Sequence, residues 1–519
     1  MSVVPGSTLA STPELVISRV FFNAAVSLVW REVAEAHNIL NLSPYIVIVQ
    51  PISGSIKEIE IIMNRALVQT RLNVYAPFVQ HLDILPWGVD DYRVRGLNWL
   101  FHHSVQTPLL PNLKSLSMGK FASGGFNQIL WIKAFFSPSL TSIAIDLRSA
   151  PPQQIPEISA ATILKCVRAN CPAFQRLDLF HDNAEPSDSR DLNSGWFHAT
   201  HFHPRVQFSF YETLSGFQLR ELGCSMEILH PGSVGVLSTL SALESLRLFP
   251  VDDHDYEYED SLSFQLPTLK HLGLHYAAPC DIDYVNKLGL LSSLESFEFV
   301  FMANYPEITE EWNEGWESDL ITSICQNSRS LKRLTIDAGV VDFLLPTALA
   351  EVTATLPLTD VCLKGSVLGT LSDVANFWPK VSRFSWDISC GFADLSQLTG
   401  QSSLQHLALK LQGSTNGLRL YAGSPTLPDL QTFELLGWPF TVGPDPKLAV
   451  QHLLSMWPKL TEIAWSPPEI RRVDSAKLAK PMLKFKVLKD FLLVRRDLER
   501  LKSGIIKEYG KNVLDEILG

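Results

Sequence analysis

The sequence has no charge-free run of about 18 or more apolar residues, the length a bilayer-crossing helix requires, so no membrane contact is expected from it. Its first residues, MSVVPGSTLASTPEL, lack the basic start and apolar stretch of a secretory leader, which points to the cytoplasm or nucleus. Seven cysteines are scattered without a CxxC pair, and the nearest two, Cys166 and Cys171, have no second pair or histidine at zinc-finger spacing. They read as reduced, buried thiols. A basic surplus is missing as well. The formal net charge of −11 disfavours a phosphate-binding surface, which needs cations to release counterions, so no nucleic-acid partner is expected.

Signatures of chemistry are also absent. There is no GxxxxGK[ST] phosphate loop, no GxSxG nucleophile elbow and no HExxH zinc helix, and residues 119–125, GKFASGG, hold their glycines in the wrong order for a phosphate loop. His198, His201 and His203, near His181, sit in a polar insertion beside prolines and read as a solvated loop, not a metal site. The acidic runs Asp252 to Asp260 and Glu307 to Glu317 lack the glycine turn and terminal glutamate of a calcium loop, and suit the steering of a basic partner. No catalytic residue, cofactor or metal is expected, and the chain is not read as an enzyme.

What is present is apolar and periodic. With 519 residues, 46% hydrophobic and 19% charged, the chain folds, but it is longer than one compact core usually serves. One unit recurs: apolar, two variable residues, apolar, one variable, apolar. Its clear copies are Leu113, Leu116, Met118; Leu140, Ile143, Ile145; Phe174, Leu177, Leu179; Leu243, Leu246, Leu248; Leu269, Leu272, Leu274; and Leu294, Phe297, Phe299. Further copies are Leu331, Leu334, Ile336; Leu358, Val361, Leu363; Val381, Phe384, Trp386; Leu404, Leu407, Leu409; Leu430, Phe433, Leu435; and Leu460, Ile463, Trp465. Weaker ones sit at Val79, Leu82, Ile84 and at Leu219, Leu222, Cys224.

A second marker is independent of the leucines. Proline falls two positions before the first apolar residue at Pro77, Pro111, Pro138, Pro172, Pro267, Pro379, Pro428 and Pro458. Lacking an amide donor and barring helix from the residue before it, proline ends one helix and lets a strand begin. Leu219, Leu243, Leu269 and Leu294 follow one another at roughly 25 residues, within the leucine-rich-repeat period of about 20 to 29. Between the strand signals lie helical periodicities: Asp281-IDYVNKLGLL behind an aspartate suited to capping, Ser159-AATILKCVRAN, Ser318-DLITSICQN, Ser372-DVANFW and Pro446-KLAVQHLLSMW. Neither element hides its apolar face alone, so the units must stack.

The expected fold class is therefore α/β, a leucine-rich-repeat solenoid with parallel strands on the concave face, helices on the convex face and helical caps at both ends. The array spans 46–470, between a helical segment at 1–45 and a basic amphipathic helical segment at 471–519, where Leu483, Phe485, Val487 and Leu492 alternate with Lys484, Lys486 and Lys489. One departure stands out. Leucine-rich repeats commonly carry asparagine or cysteine three positions after the third apolar residue, and here those positions hold Phe121, Arg148, Asp182, Ala277, Gly339 and Gln412, which predicts irregular repeats with looser loops.

At the N-terminus, Thr12 to Phe21 with Pro13, Glu14, Leu15, Val20 and Phe21 resembles the opening helix of an F-box. Trp30-Arg31-Glu32-Val33 with Ile39, Leu40, Leu42 and Pro44 resembles the closing segment of F-boxes seen in mushroom-type fungi. With the repeats, the chain resembles a fungal F-box and leucine-rich-repeat protein whose F-box is truncated, since only Phe22 to Val29 lies between the two ends. The resemblance implies adaptor-binding residues Pro13, Glu14, Leu15, Val20, Phe21 and Trp30, a Skp-type adaptor with its cullin complex as partner, and a role in selecting a protein substrate for ubiquitination. A non-catalytic repeat scaffold without adaptor contact is the alternative. A hydrolase would need nucleophile and base converging in a deep pocket, which a shallow curved sheet rarely supplies.

Strand alternation selects the partner-binding side chains. If the second and third apolar residues of each unit face the core, those between and beside them face the concave surface. That rule picks out Arg247, His271, His275, Glu298, Arg333, Asp337, Arg383, Asp387, His406, Lys410 and Glu434. By resemblance they hold the substrate; the plainer alternative is a hydrated sheet face.

Overall fold

The computed structural model describes residues 25–43, 46–49, 56–61, 71–84, 91–95, 100–102, 104, 107–118, 126–145, 155–179, 181–182, 207–230, 233–249, 266–277, 279–301, 316–339, 343–345, 355–391, 394–398, 401–411, 427–436, 451, 453–466, 486–487, 489–490, 492–494 and 496–497. The chain divides into two compact units, Met1–Leu243 with Val251–His254, and Glu244–Pro250 with Asp255–Gly519.

The first unit contains strands β1 (Glu32–Val33), β2 (Ile46–Val49), β3 (Ile56–Ile61), β4 (His81–Asp83), β5 (Asp91–Arg95), β6 (Ser115–Met118), β7 (Ser142–Ile145), β8 (Ile155–Pro156), β9 (Arg176–Asp178), β10 (His181–Asp182) and β11 (Glu221–Ser225). Its main sheet runs β1-β4-β6-β7-β9-β11, all neighbours parallel. The second unit contains β12 (Ser245–Phe249), β13 (His271–Ala277), β14 (Ser296–Phe301), β15 (Arg333–Asp337), β16 (Phe343–Leu344), β17 (Asp360–Lys364), β18 (Val367–Leu368), β19 (Arg383–Cys390), β20 (His406–Leu411), β21 (Thr432–Leu436) and β22 (Glu462–Ser466). Its main sheet runs β12-β13-β14-β15-β17-β19-β20-β21-β22, again parallel throughout. Helices such as Glu157–Asn170, Pro279–Lys287, Trp316–Asn327 and Leu371–Phe377 alternate with these strands.

Every apolar triplet found in the sequence lands on a main-sheet strand. The first member lies in a tight turn just before it: Leu113 N donates to Leu110 O at 3.1 Å, Leu140 N to Ser137 O at 3.0 Å and Leu460 N to Trp457 O at 3.1 Å. Pro111, Pro138 and Pro458 are thus the second residues of four-residue turns, the place where a φ fixed near −65° costs nothing. Proline therefore shapes the turn that launches the strand, beyond ending a helix. The second and third members face the core: Leu246, Leu248, Phe297, Phe299, Val361, Leu363, Phe433 and Leu435 are all fully buried. Each such side chain contributes on the order of 1.5–3 kcal/mol by leaving water.

Adjacent strands register one to one through a repeated backbone contact. Gln80 O accepts Lys114 N at 2.8 Å and Ser115 N at 3.0 Å; Glu295 O accepts Lys332 N at 2.9 Å and Arg333 N at 3.0 Å; Gln405 O accepts Gln431 N at 2.8 Å and Thr432 N at 3.0 Å. Hydroxyls reinforce this end of the strands. Ser137 Oγ donates to Pro111 O at 2.8 Å, Ser330 Oγ to Leu294 O at 2.9 Å, Ser382 Oγ to Thr359 O at 3.0 Å and Thr461 Oγ1 to Gln431 O at 3.1 Å. The repeats that lack the usual asparagine after the strand thus carry a polar ladder before it. Of the positions where the asparagine would stand, Phe121, Arg148 and Gln412 lie outside the described residues, Asp182 ends β10, Ala277 is buried at the end of β13 and Gly339 takes a positive φ of 57°.

Several elements differ from the expectation. Asp281 lies in the first turn of helix Pro279–Lys287 instead of preceding it, and Thr370 caps Leu371–Phe377 in a reciprocal box with Asp373, ahead of the expected Ser372. β2 pairs antiparallel with β3, and β3 parallel with β5, in a separate sheet that the repeat search passed over. β16 and β18 form a small parallel pair.

Glycine decides one tight approach. Gly365 has φ +73°, and a Cβ there would lie 2.3 Å from Gly339 N. Gly365→Ala is expected to destabilise the second unit by more than about 2 kcal/mol, the sum of a left-handed penalty and a backbone clash. Gly235, inside helix Val234–Thr239 with nothing within 4 Å of its added Cβ, is the control: Gly235→Ala should stabilise by roughly 0.5–1 kcal/mol. Native-state hydrogen exchange of the two units reads both effects separately.

Candidate interaction face of the second unit

Because side chains alternate along a strand and the register is one to one, residues of like position form rows across the second unit. The first row runs His271, Ser296, Arg333, Asp360, Arg383, His406 in paired order. The third-position row holds Arg247, Gly273 and Glu298, and further along Ala408 and Glu434. The fifth holds His275, Val300, Asp337 and Lys364. An irregularity in β19 between Trp386 and Ser389 sets Ser389 opposite Lys410, and Asp387 lies within it. Nine of the eleven residues selected by alternation stand in these rows, with Asp387 and Lys410 at the irregularity; all eleven are half-exposed or exposed, while the triplet members beside them in the strands are buried. The strand pattern of β14, alternately half-exposed and buried from Ser296 to Phe301, is typical.

Several rows are tied together by charge. Lys410 Nζ lies 2.9 Å from Asp387 Oδ2, Arg383 Nε 3.7 Å from Asp360 Oδ2, and His406 Nε2 3.3 Å from Glu434 Oε2. His275 Nε2 stands 3.7 Å from Glu298 Oε2, and its ring stacks on Phe249 with centroids 4.9 Å apart. Gly273 makes that arrangement possible: a Cβ there would come within 2.9 Å of His275 Nε2 and 3.1 Å of Arg247 Cγ. Arg333 reaches over the intervening strand so that its guanidinium lies 3.1 Å from His271 Nδ1. Exposed pairs of this sort contribute about 0.2–1 kcal/mol each. Their effect is to hold long side chains in place.

Alternation alone named the eleven but not their company. Phe249, Gly273, Ser296, Asp360 and Lys364 belong to the same face, and the signal that would have found them is the register, which the sequence does not display. Cys362 also lies on it, half-exposed between Thr335 and Ser385, its thiol pushed above the ordinary range by burial.

Elsewhere the expected site residues are less informative. Pro13, Glu14, Leu15, Val20 and Phe21 lie outside the described residues, as do His198, His201, His203 and the acidic run from Asp252 to Asp260; of the second acidic run only residues 316–317 are described. Trp30 is described: it stacks on Tyr75 with centroids 5.0 Å apart, and Glu32–Val33 just after it form β1, paired with His81 and Leu82. Among the described residues no group of three or more His, Cys, Asp and Glu is placed to hold a metal ion, and no helix is long and apolar enough to cross a membrane.

A parallel ladder of this register, with a turn, a buried apolar triplet and a helical return in each unit, is a leucine-rich-repeat fold. No family model matches the chain, and no curated protein matches it. Solved structures with which it shares similarity include an internalin from Listeria monocytogenes, 11% identical over 79% of this chain and 87% of that one at a TM-score of 0.29. The leucine-rich repeat-containing protein LegL7 from Legionella pneumophila is 10% identical over 75% of this chain and 94% of that one, with a TM-score of 0.30. A leucine-rich-repeat protein of Leptospira interrogans is 11% identical over 78% and 88%, with a TM-score of 0.25.

Two histidines of this face have depressed pKa values. Burial lowers His271, helped by Arg333 and Lys270 against Glu295 and Glu244; burial also lowers His406, helped by Arg383 against Glu434 and Asp360. The unfolded chain takes up these protons first as pH falls below the ordinary 6.5, so their contribution to stability is present above that value and lost on acidification through it. Urea unfolding at pH 7.5 and 5.5 should therefore show a smaller loss in His271→Gln/His406→Gln than in the wild type. An equal loss in both would remove the two histidines as its cause.

Proposed function

We propose that the chain is a protein-binding repeat protein that recognises its partner on the open face of the second unit, through the side chains between and beside the buried triplets. The observation that carries this is the face itself: charged and imidazole groups in three registered rows, propped by ion pairs and by the Phe249 stack, opposite a continuous apolar core. Rigid polar groups on a fixed scaffold suit recognition, since little side-chain freedom is left to lose on binding. No bond chemistry is assigned to the chain.

The more specific proposal is a substrate receptor of a cullin-based ubiquitin ligase, acting by proximity. It is supported by the F-box-like segments at Thr12 to Phe21 and Trp30 to Pro44 together with the repeats. One observation favours the alternative, a repeat scaffold without adaptor. Trp30 rests on Tyr75, and Glu32 and Val33 are built into the ladder, so this part of the F-box-like segment is engaged within the chain.

Co-expression with a Skp-type adaptor separates the two. Stoichiometric co-purification is expected of the receptor, and its absence with the full-length chain leaves the scaffold. For a target identified by cross-linking, Arg333→Glu with Arg383→Glu should weaken binding by at least about tenfold, since each reversal places like charge against the partner's complementary group. Unchanged affinity would move recognition off this face.

A further inference from the structure

Of Arg333, Arg383 and Lys410, the last two have their charge met by Asp360 and Asp387, whereas no carboxylate of the described residues lies within the 4.0 Å ion-pair distance of the Arg333 guanidinium. Its partner is an imidazole, His271 Nδ1 at 3.1 Å. A guanidinium carries no acceptor, so the contact fixes the tautomer: Nδ1 accepts and the proton sits on Nε2. The consequence is a pair of neutral and cationic donors, fixed relative to each other and spanning β14, with Ser296 paired between them in the row. Arg333 is exposed and keeps its other N–H groups.

We infer that His271, Ser296 and Arg333 form a recognition point for a single carboxylate, an acidic side chain of the protein partner. It rests on the open-face reading only for the source of that carboxylate. The guanidinium supplies the planar fork a carboxylate fits, Ser296 supplies a hydroxyl from the strand between, and His271, whose Nδ1 accepts from the arginine, holds that fork in place. The surroundings set the charge of the ligand. Glu295 is occupied by Lys332 at 3.0 Å and Asp360 by Arg383 at 3.7 Å, so the charge of Arg333 is matched by a monoanion and exceeded by a dianionic phosphate. Burial and the nearby guanidinium keep His271 neutral, which preserves the arrangement at neutral pH.

Acetate is the probe. With histidine rings labelled at Cε1, sodium acetate replaces sodium chloride at constant ionic strength and pH 7.5, and the His271 resonance is followed by NMR. A saturable shift at His271, absent at His406, lost in Arg333→Gln and weakened severalfold in Arg333→Lys, is the expected result; unchanged His275 and His406 resonances in the variants certify the fold. No saturable shift, an equal shift at His406, or tighter binding of phosphate than of acetate would overturn the inference. If acetate binds but Arg333→Glu with Arg383→Glu leaves a target's affinity intact, the carboxylate site stands and the partner reading falls. If acetate fails while the double reversal weakens the target, the reverse holds.

Discussion

Within each unit, successive repeats are bound together by one carbonyl oxygen that accepts two successive amides, and the rest of the structure depends on that contact. Lys114 O accepts Thr141 N and Ser142 N in the first unit, and Thr359 O accepts Ser382 N and Arg383 N in the second. A slip of one residue would turn every apolar side chain of a strand to water. The double acceptor excludes such a slip, because it couples the turn before the strand and the strand's first residue to the same atom. Prolines and hydroxyls cluster around that point for this reason: proline holds the turn that aims the amides, Ser137 and Ser330 donate to neighbouring carbonyls, and Thr461 Oγ1 donates to the double acceptor Gln431 O itself.

The ladder was legible in the sequence because its signal is redundant. Leu-x-x-Leu-x-Leu states which residues are buried in each of the fourteen copies, and proline two positions ahead of eight of them states independently where the strand begins. What escaped lacks this redundancy. β1 has only Val33 to bury and no leading proline. β3, Ile56-Lys-Glu-Ile-Glu-Ile, has the apolar spacing of the repeat at Ile56, Ile59 and Ile61, but Gly54 stands where the leading proline would be and the strand pairs in a separate sheet. The hydroxyl ladder escaped because it stands at the opposite end of the strand from the asparagine whose absence was noted.

For the interaction face the balance is different. Alternation is a local rule and placed eleven side chains on one surface, but what those side chains do to one another is a property of the register across repeats. His271 and Arg333 are 62 residues apart in the chain, and they meet because β14 contributes a small residue, Ser296, between them. Gly273 is silent in a pattern search, having no side chain to count, and yet it is the reason the His275 ring and the Arg247 stem can both lie close against β13 at that position.

The charge on this face is mostly spent internally, and that bears on what kind of recognition it can support. Lys410 with Asp387 and Arg383 with Asp360 offer a partner little net attraction, since displacing an existing ion pair returns only the difference between two similar contacts. Such pairs act by exclusion instead: a partner whose charges fail to match the alternation along the rows leaves a charge facing its like, a cost of several kcal/mol. Attraction must then come from groups not already paired in this way, and the exposed Arg333, held by an imidazole that brings no opposing charge, is one of them. On the proposed reading the two tasks are separated: the paired rows would reject wrong partners, and Arg333, which no carboxylate of the described residues pairs, would draw in the right one.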